Sequence, residues 1–247
     1  MRISRIYVGE PLAIGSSIKL DSAASHYIRN VLRLKHDAIV ALFNGQDESD
    51  YQSRLEFDRK QTIAIIESSI DARTESSLDS EIIQGLSRSD HLDLALQKCT
   101  ELGVKRFSIF NAERSQIPLK PAQQVKRLAH WRAITAKACE QSGRHHLPAI
   151  EFYKSLEAAL DATIREHSKI LLDFTGEPLH NCLKRAGQEG RVSILVGPEG
   201  GLSEHEIRKA GSHDFLSARL GPRVLRTETA AIASLAIVQA LCGDFET

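Results

Sequence analysis

Residues 51–57 alternate in character, with Tyr51, Ser53, Leu55 and Phe57 interleaved by Gln52, Arg54 and Glu56. A period of two puts the first set on one face of a pleated strand and the second on the other. Runs at 3–8, 38–43 and 62–66 also suit strands, and the polar stretch Asp58, Arg59, Lys60, Gln61 reads as a hairpin turn. These elements predict a small β-rich unit. Between the first two runs, Asp21 or Ser22 can cap a short helix reaching about Arg33. Ala24, Ile28 and Leu32 form its apolar stripe, while His26, Arg29 and Arg33 share another face at three- and four-residue spacing.

From Glu81 the pattern changes. Apolar runs at 82–86, 104–110, 150–153, 169–174, 192–196 and 215–220 alternate with stretches of helical character. One helix covers 90–102, with Leu92, Leu96 and Cys99 inward and Gly103 as its stop. Another starts at Pro121 and ends before Gly143, and a third begins at Thr227. Such alternation predicts an α/β domain, a largely parallel sheet with helices on both faces. The polar, serine-rich residues 68–80 read as the connection to it, with room for a short strand near Ile70. Parallel sheets bind ligands beyond the carboxyl ends of their strands. Residues 174–177, 197–201 and 221–226 are expected at such ends.

At 247 residues the chain has room for one large domain or two modest ones. Its zero formal net charge argues against a polyanionic partner, but the distribution does not. Between 105 and 145, Lys105, Arg106, Arg114, Lys120, Lys126, Arg127, Arg132, Lys137 and Arg144 face only Glu113 and Glu140. That asymmetry fits nucleic acid, or equally a solvated helix face with counter-charges from elsewhere in the fold. The basic face of the first helix carries the same two readings, phosphate contact or plain surface. Cys99, Cys139, Cys182 and Cys242 lack metal-ligand or redox spacing, which suits reduced thiols in a cytoplasmic protein. The first seven residues lack a signal-peptide run. The longest mainly apolar run, 230–242, is too short to span a bilayer, so neither a membrane nor a metal is expected as partner.

Ser203-Glu204-His205-Glu206 is a capping box, which makes Glu206 structural. Glu199 lies inside the loop Gly197-Pro198-Glu199-Gly200-Gly201, where its carboxylate can bind a ligand or accept backbone N–H groups. Arg223 and Arg226 stand at the mouth of the last helix, where the macrodipole favours acidic groups such as Glu228. Their position calls for another reason, such as an anionic partner. Ala230, Ala231, Ala233, Ser234 and Ala236 allow close packing of that helix. No dinucleotide fingerprint, nucleophile elbow or phosphate loop is present, and His145-His146 reads as a surface pair.

Several motifs occur in order: residues 98–104 (Lys-Cys-Thr-Glu-Leu-Gly-Val), Glu113-Arg114-Ser115, Glu140-Gln141-Ser142-Gly143-Arg144 with Pro148, residues 196–201, and residues 220–230. Together with residues 26–33, they make the chain resemble the RsmE family of SPOUT-class methyltransferases, which modify a uridine of small-subunit ribosomal RNA at N3. At Ser87-Arg88-Ser89-Asp90 the family more often has a Lys-Gly pair, which leaves the role of Arg88 open. The resemblance implies a PUA-like β-barrel for RNA binding over 1–72 and a trefoil-knotted SPOUT domain over 73–247. It also implies S-adenosylmethionine as cofactor, a homodimer, and small-subunit RNA or an assembling 30S subunit as partner. The cofactor would be wrapped by Leu172, Phe174, Thr175 and Gly176, by Val196, Gly197, Pro198, Glu199, Gly200 and Gly201, and by Leu220, Gly221, Arg223, Val224, Leu225, Arg226 and Thr229. RNA would meet His26, Arg29, Arg33, Arg88, Gln141 and Arg144.

Methylating N3 requires loss of its proton and stabilisation of negative charge on O2 and O4 of the uracil. Arg226 is the first choice for the second task, with Arg114 or Arg144 next. Glu228 or Glu101 is a candidate base, and each also has a structural reading, as helix-start charge or as a basic residue's partner. A non-catalytic RNA-binding assembly factor on the same fold is the alternative. A nucleotide-handling enzyme is disfavoured by the absence of phosphate-binding motifs.

Overall fold

A computed structural model of the chain describes residues 3–59, 61–186 and 190–245. Met1 and Arg2 of the chain start and Lys60 of the first hairpin turn lie outside the described residues. The chain forms two compact units, Met1–Glu75 with Cys139–Leu147, and Ser76–Ala138 with Pro148–Thr247.

In the first unit, strands β1 (Ser4–Tyr7), β2 (Ser17–Lys19), β3 (Ile39–Phe43), β4 (Ser49–Asp58) and β5 (Gln61–Asp71) form one sheet, in the order β1-β3-β4-β5-β2. Ile6, Val40, Leu42, Leu55 and Ala64 are buried together with Leu20 and Ile28, so the strands wrap a single core. The alternation in β4 holds for Ser53 and Leu55, both fully buried. β2 is three residues long and gave no periodic signal. β5 runs on to Asp71, through part of the expected connection. Asp21 caps α1 (Ser22–His26), its Oδ1 accepting the Ala24 N–H at 2.7 Å. The expected helix then widens into a π-helical turn at Tyr27–Val31.

Arg29 makes contacts within the unit that its sequence position did not suggest. It donates to Thr62 Oγ1 at 3.1 Å and to the carbonyls of Arg59 and Gln61, and it lies over the Phe57 ring at 4.5 Å. The guanidinium therefore ties the helical segment to the β4–β5 hairpin. His26 and Arg33 remain exposed.

The segment Cys139–Leu147, assigned by sequence to the second domain, packs in the first unit for an ionic reason. Arg144 is 3% exposed and pairs with Glu75 at 2.9 Å. Glu75 also accepts the N–H groups of His145 and His146, at 2.9 and 3.0 Å. Burial pushes the Glu75 carboxyl up, but the hydrogen bonds and charge of Arg144 outweigh it and hold it below the ordinary carboxylate range. Arg5 donates to Asp50 at 2.8 Å and to the Cys139 carbonyl at 2.8 Å, and Asp50 meets His145 Nε2 at 3.0 Å. Arg144 is thus neither an RNA contact nor a free catalytic arginine: it is buried and neutralised, and removing one member of such a pair costs roughly 3–5 kcal/mol. His145 is fully buried rather than at the surface.

The second unit follows the alternating pattern. Its strands are β6 (Asp79–Gly85), β7 (Arg106–Phe110), β8 (Ala149–Tyr153), β9 (Ser168–Pro178), β10 (Arg191–Val196) and β11 (Leu216–Arg219). They form one parallel sheet in the order β11-β9-β10-β6-β7-β8. The helices are α2 (Ser89–Glu101), α3 (Pro121–Ser142), α4 (Leu156–Ala162), α5 (Leu179–Ala186), α6 (Glu204–Ser212) and α7 (Thr227–Cys242). The last four residues of α3 belong to the first unit.

Neighbouring residues of the central strands serve opposite cores. Ile82 and Ile194 pack with Leu92, Leu96, Ala231 and Leu235 of α2 and α7. Ile83 and Leu195 pack with Leu156, Leu160 and Ala210 of α4 and α6. A strand covered on both faces is apolar over most of its length, which is why these runs show no alternation. Ala231 and Ser234 are fully buried where α7 meets α2, as the small-residue pattern requires. The basic stretch is partly neutralised, since Arg106 pairs with Asp79 at 2.7 Å, while Lys126 and Arg132 of α3 stay exposed.

Candidate active site

Three loops converge at the carboxyl ends of adjacent strands. The first is an excursion within β9. Leu171 pairs with Ser217 and Glu177 with Ala218, so residues 172–176 loop out opposite a single step of β11. Residues 174–177, expected beyond a strand end, therefore belong partly to a strand that resumes pairing at Glu177.

The second loop, 197–201, follows β10. Glu199 folds back, its Oε1 accepting the Arg88 N–H at 2.8 Å and meeting His91 Nδ1 at 2.9 Å. Burial pushes the Glu199 carboxyl up, but the Arg88 N–H and the His91 side chain, among other hydrogen bonds, outweigh it and keep it below its ordinary value. The capping box beyond is present: Ser203 Oγ accepts the Glu206 N–H at 3.1 Å and Glu206 Oε2 accepts the Ser203 N–H at 2.9 Å. Glu206 Oε1 also accepts the Glu113 N–H at 3.0 Å, so its role is structural, as read from sequence.

The third loop ends at Arg226, the N-cap of α7, whose side chain makes no capping bond. The next residue joins two loops. Thr227 Oγ1 donates to the Gly197 carbonyl at 2.6 Å and accepts from Gln84 Nε2 at 2.8 Å. Gln84 is itself 1% exposed at the end of β6. Thr227→Val keeps the shape and removes both bonds, while Gln84 Nε2 keeps the Gly85 carbonyl at 3.0 Å, so the cost is that of the lost hydrogen bonds, about 0.5–1.5 kcal/mol each. Calorimetric melting is expected to show a loss of several degrees, at roughly 2–4 °C per kcal/mol for a protein of this size.

Between the loops lies a cavity of about 720 Å³. Leu172, Phe174, Val196, Gly197, Pro198, Glu199, Gly200, Gly201, Leu220, Gly221, Arg223, Val224, Leu225 and Arg226 border it, together with Arg88 and Arg114. Thr175, Gly176 and Thr229 do not border it: Thr175 and Thr229 are exposed, and Gly176 is buried. Gly176 instead offers its carbonyl to Arg219 Nη1 at 2.6 Å. Neither proposed base reaches the cavity wall. Glu101 pairs with Lys98 at 2.9 Å, and Glu228 is only 6% exposed. Gln141 is exposed in the first unit.

Sequence reading missed His91, Leu171, Arg219 and Thr227 in the wall. The Ser/Thr-x-x-acid pattern gave no hint of Thr227, whose hydroxyl serves a carbonyl 30 residues away. His91 finds its carboxylate 108 residues along the chain, beyond any local signal.

An α/β unit with glycine-rich strand-end loops, a ligand-sized cavity and arginines at its edge defines a cofactor-dependent enzyme class better than a binding module. Residues 74–239 match the RNA methyltransferase domain family, and the chain belongs to it. It is 31% identical, over 98% of each chain, to the ribosomal RNA small subunit methyltransferase E of Buchnera aphidicola subsp. Schizaphis graminum. The solved ribosomal RNA small subunit methyltransferase E of Neisseria gonorrhoeae, bound to S-adenosyl methionine, is 33% identical with a TM-score of 0.89, covering 99% of this chain and 100% of that one. A Legionella pneumophila methyltransferase with bound SAM is 32% identical with a TM-score of 0.91, at the same coverage.

Proposed function

We propose that the protein methylates N3 of a uridine in small-subunit ribosomal RNA, with S-adenosylmethionine as methyl donor. The observation that carries this reading is the three-loop cavity in a chain of this family, of a size suited to such a cofactor. The wall fits the cofactor chemically. Leu171, Leu172, Val196, Leu220 and Leu225 offer apolar contact to an adenine ring. At Gly201 and Gly221, with φ of 69° and 91°, the space a Cβ would take is open, so a ligand can lie against the peptide groups. Glu199 Oε2 is a buried acceptor with no hydrogen-bond partner among the described residues, suited to a ligand hydroxyl or ammonium.

S-adenosylmethionine supplies a methyl group activated by its sulfonium charge. The chain's residues supply alignment and charge. The loops position the reactants for in-line displacement, which removes much of the entropic barrier. Uracil N3 gains nucleophilicity when its proton leaves and the charge spreads to O2 and O4. Arg226, exposed at the cavity edge and without a side-chain partner among the described residues, stabilises that charge, with Arg114 in support. Because Glu228 and Glu101 stand off the cavity, the proton passes to solvent, and both carboxylates keep structural roles.

The RNA partner is naked small-subunit RNA or an assembling 30S subunit, docked on the exposed His26 and Arg33, with Arg88 beside the cavity. Two copies pair through the C-terminal helix, whose exposed Ile237 and Leu241, with Phe245 just beyond, supply apolar area. The cytoplasm is the compartment of that substrate. Mass spectrometry of small-subunit RNA from cells with and without the gene tests the reading. One methylated uridine is expected to disappear and to return with the wild-type gene. RNA of unchanged mass would favour the assembly-factor alternative.

A further inference from the structure

The fold neutralises part of the basic stretch between 105 and 145. Arg106 pairs with Asp79 at 2.7 Å, Arg144 with Glu75 at 2.9 Å, and His130 meets Asp93 at 2.8 Å. Three cations in and just ahead of α3 are left over. Lys120 precedes α3, and Lys126 and Arg132 lie within it. All three are exposed, and their side chains have no hydrogen-bonding or ionic partner among the described residues. α3 carries no acidic residue before Glu140. Of the carboxylates on neighbouring α2, Asp93 is taken by His130, Glu101 by Lys98 at 2.9 Å, and Asp90 stands 3.7 Å from His91.

Trp131, Leu128 and Ile134 turn α3 into the core shared with α2. At about 3.6 residues per turn, the opposite side of the helix carries Ala122, Val125, Ala129 and Ala133. Val125 is 82% exposed. Lys126 and Arg132 flank this strip, roughly 9 Å apart along the axis at about 1.5 Å per residue. The face is continuous with the rim of the cavity. Arg127 Nη1 donates to Ser89 Oγ at 2.8 Å, and Ser89 follows Arg88 of the rim. Arg114, also of the rim, and Lys120 sit on the one segment that joins β7 to α3.

We propose that this face of α3 is a track for the phosphate backbone of the RNA strand flanking the target uridine, with Lys120, Lys126 and Arg132 as its phosphate contacts. This rests on the RNA methylation reading given above. A strand whose uracil enters the cavity must leave across the rim, and the unopposed cations line one exit. Each phosphate they neutralise releases condensed counterions, which is the main source of such affinity. The small side chains between Lys126 and Arg132 let the strand lie close to the helix. A protein partner fits this face less well, because alanines and one valine supply none of the large aromatic anchors that interfaces rest on. The contacts carry no sequence information; they hold the strand in register while the cavity reads the base.

The test is the salt dependence of binding to small-subunit RNA, or to small subunits, from cells lacking the gene. Wild type is compared with the double variant Lys126→Ala, Arg132→Ala. Both changes put the best helix former at exposed helical positions, so the variant should melt no lower than wild type. Its plot of log affinity against log salt should be shallower by about 1.4, at roughly 0.7 per phosphate contact on a single strand. The gap between the two proteins should therefore widen about sevenfold from about 200 to about 50 mM salt. S-adenosylmethionine affinity should stay at the wild-type value. The double variant Arg165→Ala, Arg208→Ala removes the same charge from exposed positions, after α4 and on α6, helices that pack on the other face of the sheet. It should keep the wild-type slope. Equal slopes in wild type and the α3 variant would overturn the track, as would an equal loss in the control, which would assign the effect to net charge. A change of oligomeric mass in the α3 variant with an unaltered slope would make the face a subunit contact and also overturn it. A wild type that binds neither the RNA nor the subunits would overturn the RNA reading itself.

Discussion

Arg226→Ala is expected to reduce methyl transfer to small-subunit RNA by about 10²–10³, the scale of removing one preorganised donor from a developing anion. The residue ends the third loop as the N-cap of α7, yet its side chain makes no capping bond. A cation at a helix N-terminus opposes the macrodipole, so holding it there without a protein partner costs stability unless an anion arrives. The charge on uracil O2 and O4 is such an anion, and it is fully present only as the reaction proceeds. The loss should therefore fall on kcat, with S-adenosylmethionine affinity near wild type by calorimetry. Arg226→Lys should recover part of the rate, because lysine restores the charge without the planar fork. Near-normal turnover by the alanine variant would transfer the role to Arg114, the other arginine on the cavity from which sequence drew a catalytic candidate.

Gly85→Ala is expected to be strongly damaging to the second unit. A Cβ at this position would lie 2.6 Å from Pro198 Cδ and 2.7 Å from Pro198 N. Both are ring or backbone atoms that no rotamer change can move. Either β6 bends or the 197–201 loop shifts, and overpacking of this kind costs about 1–3 kcal/mol. A shift of the loop would also displace Glu199 and the Gly197 carbonyl that Thr227 holds. Cofactor affinity is expected to drop by about tenfold or more, which corresponds to 1.4 kcal/mol. Melting and titration of the same sample measure both effects. Gly211→Ala in α6 is the control, because nothing lies within 4 Å of its added Cβ. That variant should match or exceed wild-type stability. If Gly85→Ala binds cofactor normally, the loop is more yielding than its packing implies.

Much of the fold could be read from local chemistry. The limits of α3, Pro121–Ser142, follow from a proline that suits a first helical position and a glycine just past the end. The capping box at Ser203 and Glu206 and the cap at Asp21 involve partners three residues away. Two of the three loops flanking the cavity were visible as glycine-containing stretches after apolar runs. The departures share a different character. Arg29 is engaged by a hairpin 30 or more residues away, and Arg144 by Glu75 at a separation of 69. β9 resumes pairing after its excursion only because β11 arrives beside it.

The sequence by itself determined where most strands, helices and turns lie and which family the motifs resemble. Periodicity, caps and glycine placement act within a few residues, so no distant partner is needed to read them. Only the tertiary structure decided which charges are available for chemistry. It buried Arg144 against Glu75, set Glu228 behind the wall beside His91, and left Arg226 open at the cavity edge. A charge is free or neutralised according to what the fold brings within about 4 Å of it, and in this chain those neighbours come from far along the sequence.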